Sequence, residues 1–462
     1  MVQQLVFILV SVVAIGLATR QFLKIRRNIL LGQDEHITGD TGQRWRNMLL
    51  VAFGQKKMFK RIIPAILHFI LYVAFVITQI ELIEIFIDGI SGKHRFFAPY
   101  LGGFYTFLIS FIEVLSVGAF VATVIFLIRR NGLSIPRFKK PEMKGWPKLD
   151  ANLILIFEII LLIGIFTMNG TDMVIQQQGL GPEGKYPDTG NLAVSSWLGP
   201  LLFGGIESYD TLHALERTGW WLHILMVFLF LNYLPYSKHL HILFAFPNTY
   251  YAKLNSRGEM ENMPEIMNEV KSMMGLGDPA ADAGAAMDEE LPEFGANDVF
   301  ALSWKNIMDA YSCTECGRCT AVCPANITGK KLSPRKILMD IRDRAAEVGQ
   351  KIDSGSDEYK VNADQPLGKG NFDDGKSLFD YISREELHAC TTCNACVEAC
   401  PVLINPLEPI LKMRRYEILT ESAGPADWVP MFTAVENSGV VWSMPTEREQ
   451  WAKDFTAEQS ES

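Results

Sequence analysis

Residues 313–324 read CTECGRCTAVCP, and residues 390–401 read CTTCNACVEACP. Each run is C-x2-C-x2-C-x3-C-P, the spacing that ligates [4Fe–4S] clusters, with the last cysteine of one run serving the other cluster. The pattern assigns Cys313, Cys316, Cys319 and Cys400 to one cluster, and Cys323, Cys390, Cys393 and Cys396 to a second. Zinc is the alternative for a tetrahedral sulfur site. Zinc sites more often carry two separated C-x2-C pairs than four cysteines in a tight row before proline. Gly317, like Ala395, is a small residue between ligands and leaves room for an inorganic core. All 8 cysteines lie in the two runs, so none remains for a disulfide, and thiolates kept for metal point to a reducing compartment.

The sequence around these runs predicts a helical module over 297–422. Helices are expected near 300–311, 334–347 (opening at Pro334) and 406–421, with a polar loop over 352–376. Arg318, Lys330, Lys331 and Arg335 lie near the ligands, where they either tune cluster potentials, dock a partner or form a solvated face. Upstream, GLGDPAADAGAAMDEELPEFGAND (275–298) reads as flexible acidic chain within a linker over 251–296, preceded by a short amphipathic PEIMNEVKSMM. Residues 423–462 form a tail.

The 462 residues suggest about three domains. Hydrophobic residues make up 48% of the chain, but long apolar runs crowd into the first 246 positions. Five stretches reach the roughly 20 residues that a lipid bilayer demands: 3–19, 62–87, 104–128, 151–169 and 218–245. The first is followed, not preceded, by basic residues (Arg20, Lys24, Arg26, Arg27), the reverse of a cleaved signal. Basic residues then gather between spans one and two, and between spans three and four. The positive-inside rule makes those segments cytoplasmic and puts the N-terminus outside. Five spans deliver the cysteine runs to the cytoplasm, in agreement with their reducing chemistry. The net charge of -9 gives no sign of nucleic-acid binding.

Ionisable groups inside a membrane are costly and usually functional. His68 and His241 are expected at similar depth toward the cytoplasm, and form a pair suited to the axial positions of a haem b. The alternative makes His239 and His241 interfacial side chains and gives His68 a hydrogen bond inside the bundle. On a continuous helix His223 and His241 are five turns apart on one face, with Pro235 bending the path between them. Glu81, Glu84, Glu113 and Glu158 also lie within spans, where they either exchange protons or pair with internal polar groups.

WWLHILMVFLFLNYLPYSKHLHILFAFP (220–247) resembles the last helix of the nitrate reductase gamma subunit family of membrane cytochromes b, and ILHF (66–69) resembles the start of that family's second helix. The resemblance covers roughly residues 1–250. It implies that His68 and His241 bind a cytoplasmic-side haem. His223 falls on a second haem's ligand position, whose partner position is occupied here by Thr78. One haem b is therefore implied, and His223 with Thr78 or Glu81 would frame a quinone pocket in the vacated space.

The cysteine module resembles the small iron–sulfur subunit of heterodisulfide reductases, and FTAVENSGVVWSMPTEREQWA (432–452) resembles that family's end. Such a module joined to a membrane cytochrome is similar to heterodisulfide reductases, sulfite-reduction membrane complexes and electron-transfer-flavoprotein:menaquinone oxidoreductases. Those families use a further cysteine-rich domain, for which this chain has no spare cysteine. A separate soluble iron–sulfur subunit is therefore expected.

The expected whole is all-α: a five-helix cytochrome b-like bundle over 1–250 in a bacterial-type cytoplasmic membrane, with a cytoplasmic two-[4Fe–4S] ferredoxin-like module. Its expected role is electron transfer from a cytoplasmic partner, such as an electron-transfer flavoprotein, through clusters and haem to a quinone, favouring menaquinone. Quinol-driven reduction of a cytoplasmic disulfide or sulfur compound is the first alternative. A redox-sensing membrane anchor is the second.

Overall fold

The computed structural model describes residues 1–256, 258–260, 262–276, 293–441, 447 and 449–460. The fold is all-α, and the described residues contain no strand. Five helices are long and apolar enough to cross a membrane: Val2–Ile29, Ile62–Ser91, Gly103–Asn131, Trp146–Gln177 and Tyr209–Tyr233. Even the last, with 25 residues, reaches about 38 Å at 1.5 Å per residue. Their outward faces carry large exposed apolar side chains such as Leu9, Ile83, Phe107 and Leu229, as a lipid-facing surface requires.

The bundle closes through aromatic packing and bare backbone. Phe7 of span one sits 5.5 Å, centroid to centroid, from Trp220 and 5.6 Å from Phe86. Spans four and five meet at Gly164 and Gly219. A Cβ on Gly164 would lie 2.9 Å from the His223 backbone nitrogen, and one on Gly219 would lie 2.6 Å from the Met168 nitrogen. Only glycine lets two helices approach this closely.

Spans two, three and four keep their expected places but run longer, span four the most at Trp146–Gln177, and spans one and five differ for local reasons. Span one continues past its apolar run to Ile29, because its basic end has partners: Lys24 and Arg27 pair with Asp353 at 2.8 and 2.7 Å. Span five is not continuous over 218–245. It starts at Tyr209, capped by Ser208, and ends at Tyr233. Pro235, which has no N–H, then opens a short 3-10 turn. Ser237 accepts a hydrogen bond from the His239 backbone and starts another, and a separate helix runs His241–Tyr250. His223 and His241 therefore do not share one helix face.

The described residues form two compact units. One joins Met1–Glu261 to Asp298–Glu408, so the cysteine runs pack directly on the bundle. Span one supplies much of that seat. Asn28 donates to Tyr311 Oη (3.0 Å), Arg27 donates to Gly349 O (2.8 Å), and Gln33 exchanges backbone hydrogen bonds with Leu302 and Trp304. The segments between spans one and two, between spans three and four, and after span five all touch the module. These are the basic segments, so the module and the positive charge share one end of the bundle. The second unit comprises Asn262–Asn297 and Pro409–Ser462. Within it the helices Pro264–Met273, Trp428–Ser438 and Gln450–Ser460 are formed, and Phe294 and Thr420 exchange two hydrogen bonds. Residues 277–292 of the expected acidic linker, and 442–446 of the tail, lie outside the described residues.

Candidate functional site

The two cysteine runs fold alike. In the first, Glu315 and Gly317 take positive φ (51° and 67°). In the second, Thr392 and Asn394 do so at the equivalent places (55° and 59°). The counterpart of Gly317 is therefore Asn394, and Ala395 instead opens a short helix, Ala395–Ala399. That helix packs on Arg318–Val322 of the first run and brings the runs together.

The thiols gather in two sets. Burial pushes the Cys313 and Cys400 thiols up to about 12, and raises the Cys319 thiol well above its ordinary value. The proximity of Cys316 to each of them, and of Cys400 to Cys313, adds to the rise. Burial likewise pushes Cys396 up to about 12, reinforced by Cys390, Cys323 and Cys393. Cys396 also acts on Cys319, so thiols of the two runs lie close to one another. The Glu315 and Ile404 backbone N–H groups donate to Cys313 Sγ (3.4 Å) and Cys400 Sγ (3.3 Å), contacts that tune a cluster's potential. Among the described residues no three Cys, His, Asp or Glu side chains are set to hold one metal ion. Cys393 is exposed, whereas Cys323 and Cys396 of its set are buried, as are Cys313 and Cys400 of the other.

His68 and His241 meet on the module's side of the bundle, their ring centres 6.3 Å apart and their planes at 40°. His68 Nδ1 lies 3.1 Å from Gln55 Oε1, and His241 Nδ1 lies 2.9 Å from Lys238 O. Both acceptors fix the proton on Nδ1 and leave Nε2 with a lone pair. His239 stands beside the pair, 5.6 Å from His241 centre to centre, and its buried Nδ1 has no hydrogen-bond partner.

His223, Thr78 and Glu81 do not bond to one another. His223 Nδ1 faces Leu161 O at 3.2 Å, and Thr78 Oγ1 donates to Phe75 O of its own helix. Glu81 faces Asn169 (3.5 Å) and Arg95 (3.6 Å). Arg95 was not singled out from the sequence, yet it centres a buried ionic knot at the end of the bundle away from the module. It reaches Asp172 (3.1 Å) and Asn169 (2.5 Å). Asp172 meets His94 (3.1 Å), and Tyr105 donates to Glu84 (2.7 Å). Glu113 accepts from the Val194 and Ser195 backbone at 2.8 and 3.1 Å and so starts the helix Ser195–Phe203. The only sequence signal was the set of intraspan carboxylates, which require partners. Glu158 lies half-buried in span four.

The cationic side chains near the cysteines divide. Arg335 is fully buried and bonds Glu142 (2.7 Å) and Arg137 O (2.9 Å), anchoring the module to the segment between spans three and four. Arg318 is buried against the segment between spans one and two. Lys330 and Lys331 are exposed, Lys331 pairing with Glu385.

Residues 312–404 match the model of the 4Fe-4S dicluster domain. The chain is 28% identical over 477 residues to the "Probable iron-sulfur-binding oxidoreductase FadF" of Bacillus subtilis, covering 97% of this chain and 60% of that protein. It is 26% identical over 428 residues to the "EtfAB:quinone oxidoreductase" of Syntrophomonas wolfei, covering 90% and 54%. It is 32% identical over 183 residues to the "Probable membrane-anchored ferredoxin" of Chromohalobacter salexigens, covering 37% and 26%. The chain thus spans little more than half the length of the first two relatives. No solved structure matches it. By its five apolar helices, its paired cysteine runs and its dicluster domain, this is a membrane protein with a helical [4Fe–4S] module.

Proposed function

We propose that the chain is the membrane electron conduit of a quinone-linked oxidoreductase. Its two [4Fe–4S] clusters and one haem b pass electrons from a soluble donor to a membrane quinone. The observation that carries this reading is the His68–His241 pair. His68 and His241 would be the residues that hold the haem, and metal–imidazole bonds of about 2.0–2.1 Å would ask their rings to lie close to one another. The observed 6.3 Å fits, and each Nδ1 has the acceptor that a metal-bound histidine normally has. A haem b held there would supply a one-electron carrier between the clusters and the quinone.

The proposed ligand sets are Cys313, Cys316, Cys319 and Cys400 for the bundle-side cluster, and Cys323, Cys390, Cys393 and Cys396 for the other. Their supports are the shared run spacing and the mutual effects of the thiols. Exposed Cys393 would present its cluster to the soluble donor, and His68 with His241 would hold the haem that supplies the next one-electron carrier. The quinone, taken as menaquinone, is reduced near His223 with Thr78 and Glu81. Buried Glu81, in contact with Asn169, is the group suited to exchanging its protons. The module faces the cytoplasm and the N-terminus lies outside, a reading supported by the basic segments at the module's end.

In this division residues 1–250 form the cytochrome b-like part, 251–296 the linker, 297–422 the ferredoxin-like module and 423–462 a docking tail. An electron-transfer flavoprotein is the proposed donor, in line with the name of the Syntrophomonas relative. A cysteine-rich iron–sulfur subunit is the proposed intermediary.

The test is a haem and iron count on the purified protein, with dithionite-reduced minus oxidised spectra. One b-type haem and about eight irons are expected. His68→Ala and His241→Ala should each lose the haem and keep the iron. A wild-type protein without haem, or His68→Ala with its haem intact, overturns the reading.

A further inference from the structure

Both histidines of the proposed pair take their orientation from segments that the bundle-side cysteine run holds in place. On one side, His68 Nδ1 is fixed by Gln55, a buried residue at positive φ (50°) in the tight turn before span two. The carbonyls of that turn, Lys57 O and Met58 O, accept from Arg318 Nη1 (3.1 Å) and Nη2 (3.4 Å). Arg318 lies between Cys316 and Cys319 and is itself buried. On the other side, His241 Nδ1 is fixed by Lys238 O (2.9 Å). The Lys238 ammonium is clamped by Glu315 Oε2 at 2.5 Å, with Pro147 O at 2.7 Å. Glu315 immediately precedes Cys316, and its backbone N–H donates to Cys313 Sγ. Arg342 holds the other Glu315 oxygen at 2.8 Å, so the clamp is anchored at both ends.

The group that accepts from Nδ1 sets a ligating histidine's tautomer, ring orientation and basicity. Here both acceptors belong to peptide segments tied to the residues either side of Cys316. We infer that Glu315 and Arg318 are positioning residues for the haem histidines, so that the cysteine loop around the bundle-side cluster sets the geometry and potential of the haem beside it. The inference rests on the His68–His241 haem reading and goes beyond it by naming what holds those ligands.

The test compares Glu315→Gln and Arg318→Gln with Lys331→Ala, a change at an exposed lysine that touches neither histidine. The full-length protein is purified from membranes. Haem and iron are counted, and the haem is examined by low-spin electron paramagnetic resonance and redox titration. Glu315→Gln and Arg318→Gln should keep the haem yet shift its reduction equilibrium three- to tenfold, up to about 59 mV for a one-electron couple. The ligand-field signals should move with it. Gln55→Leu should shift the potential too, and its combination with Arg318→Gln should fall short of the sum, since both act through one turn. Should a change in the cysteine run reduce iron content, Lys238→Met breaks the Glu315 clamp from the bundle side and should produce the same shift. Wild-type protein with haem, but with potentials and signals in all these variants equal to those of Lys331→Ala, overturns this inference alone. Wild-type protein without haem overturns the haem reading as well.

Discussion

Replacing Gly317 by alanine should damage the bundle-side cluster far more than replacing Asn394, its twin in the other run. Both positions hold positive φ, 67° and 59°, and alanine there costs about 1–2 kcal/mol. At Gly317 a second effect operates. The new Cβ would lie 2.4 Å from Arg335 Nη1 and 3.2 Å from its guanidinium carbon. A flexible arginine would swing aside, but this one is fully buried and bonded to Glu142 at 2.7 Å and to Arg137 O at 2.9 Å. Moving it breaks at least one buried charged hydrogen bond, about 1–3 kcal/mol. The sum for Gly317→Ala is about 2–5 kcal/mol, against about 1–2 for Asn394→Ala. The difference corresponds to roughly 5- to 150-fold in the equilibrium between loaded and cluster-free protein. Loss of the broad visible cluster absorbance under a chelator, with iron counts along the time course, reads it directly. Gly317→Ala losing iron no faster than Asn394→Ala would refute the argument, because it would show that Arg335 can yield freely.

Gly164→Ala should lower the thermal stability of the detergent-solubilised protein by about 1–3 kcal/mol, since its Cβ meets the fixed His223 backbone. Gly103→Ala, whose Cβ meets nothing within 4 Å, should leave the same melting curve unchanged. Arg95→Leu strands Asp172 and Glu81 in the buried knot and should cost about 3–5 kcal/mol, seen as a collapse in the yield of monodisperse protein. In the module, burial alone would raise the Asp374 carboxyl, but hydrogen bonds from Arg344 and Lys351 hold it well below the usual carboxylate range. A depressed carboxylate stabilises the fold above its unfolded pKa. That stability is lost as pH falls below about 5. Melting curves between pH 7 and 4 should therefore decline less steeply for Asp374→Asn than for wild type.

What the sequence made readable is what covalent spacing and long apolar runs dictate. The cysteine runs were readable because their C-x2-C-x2-C spacing packs three cysteines within seven residues, whereas the approach of His241 to His68 did not follow from counting turns, since His241 opens a separate helix beyond the break after Tyr233. The break after Tyr233 was only half readable. Pro235 marks a bend, but the restart depends on Ser237 capping His239, a choice decided by local hydrogen bonds. Arg95 could not be found this way. It lies in the connection after span two, and its partner Asp172 is 77 residues away in span four. Gln55 and Lys238 were equally silent. One acts through a strained turn and the other through its carbonyl, and a backbone oxygen carries no residue signature.

The clasp between span one and the module bears on how the molecule is made. Asn28 and Tyr311 are 283 positions apart, and Arg27 and Gly349 are 322 apart. Span one therefore waits in the lipid, its polar end unmatched, while four more spans are threaded and the module is synthesised. Long-range closures of this kind come late and leave sticky surface uncovered until they do. Because the clasp lies on the module that houses the iron, a chain that fails to acquire its clusters should keep Asn28 and Arg27 uncovered. Span one would then be the last part to be sealed, and iron supply would decide whether a membrane-surface protease finds it open.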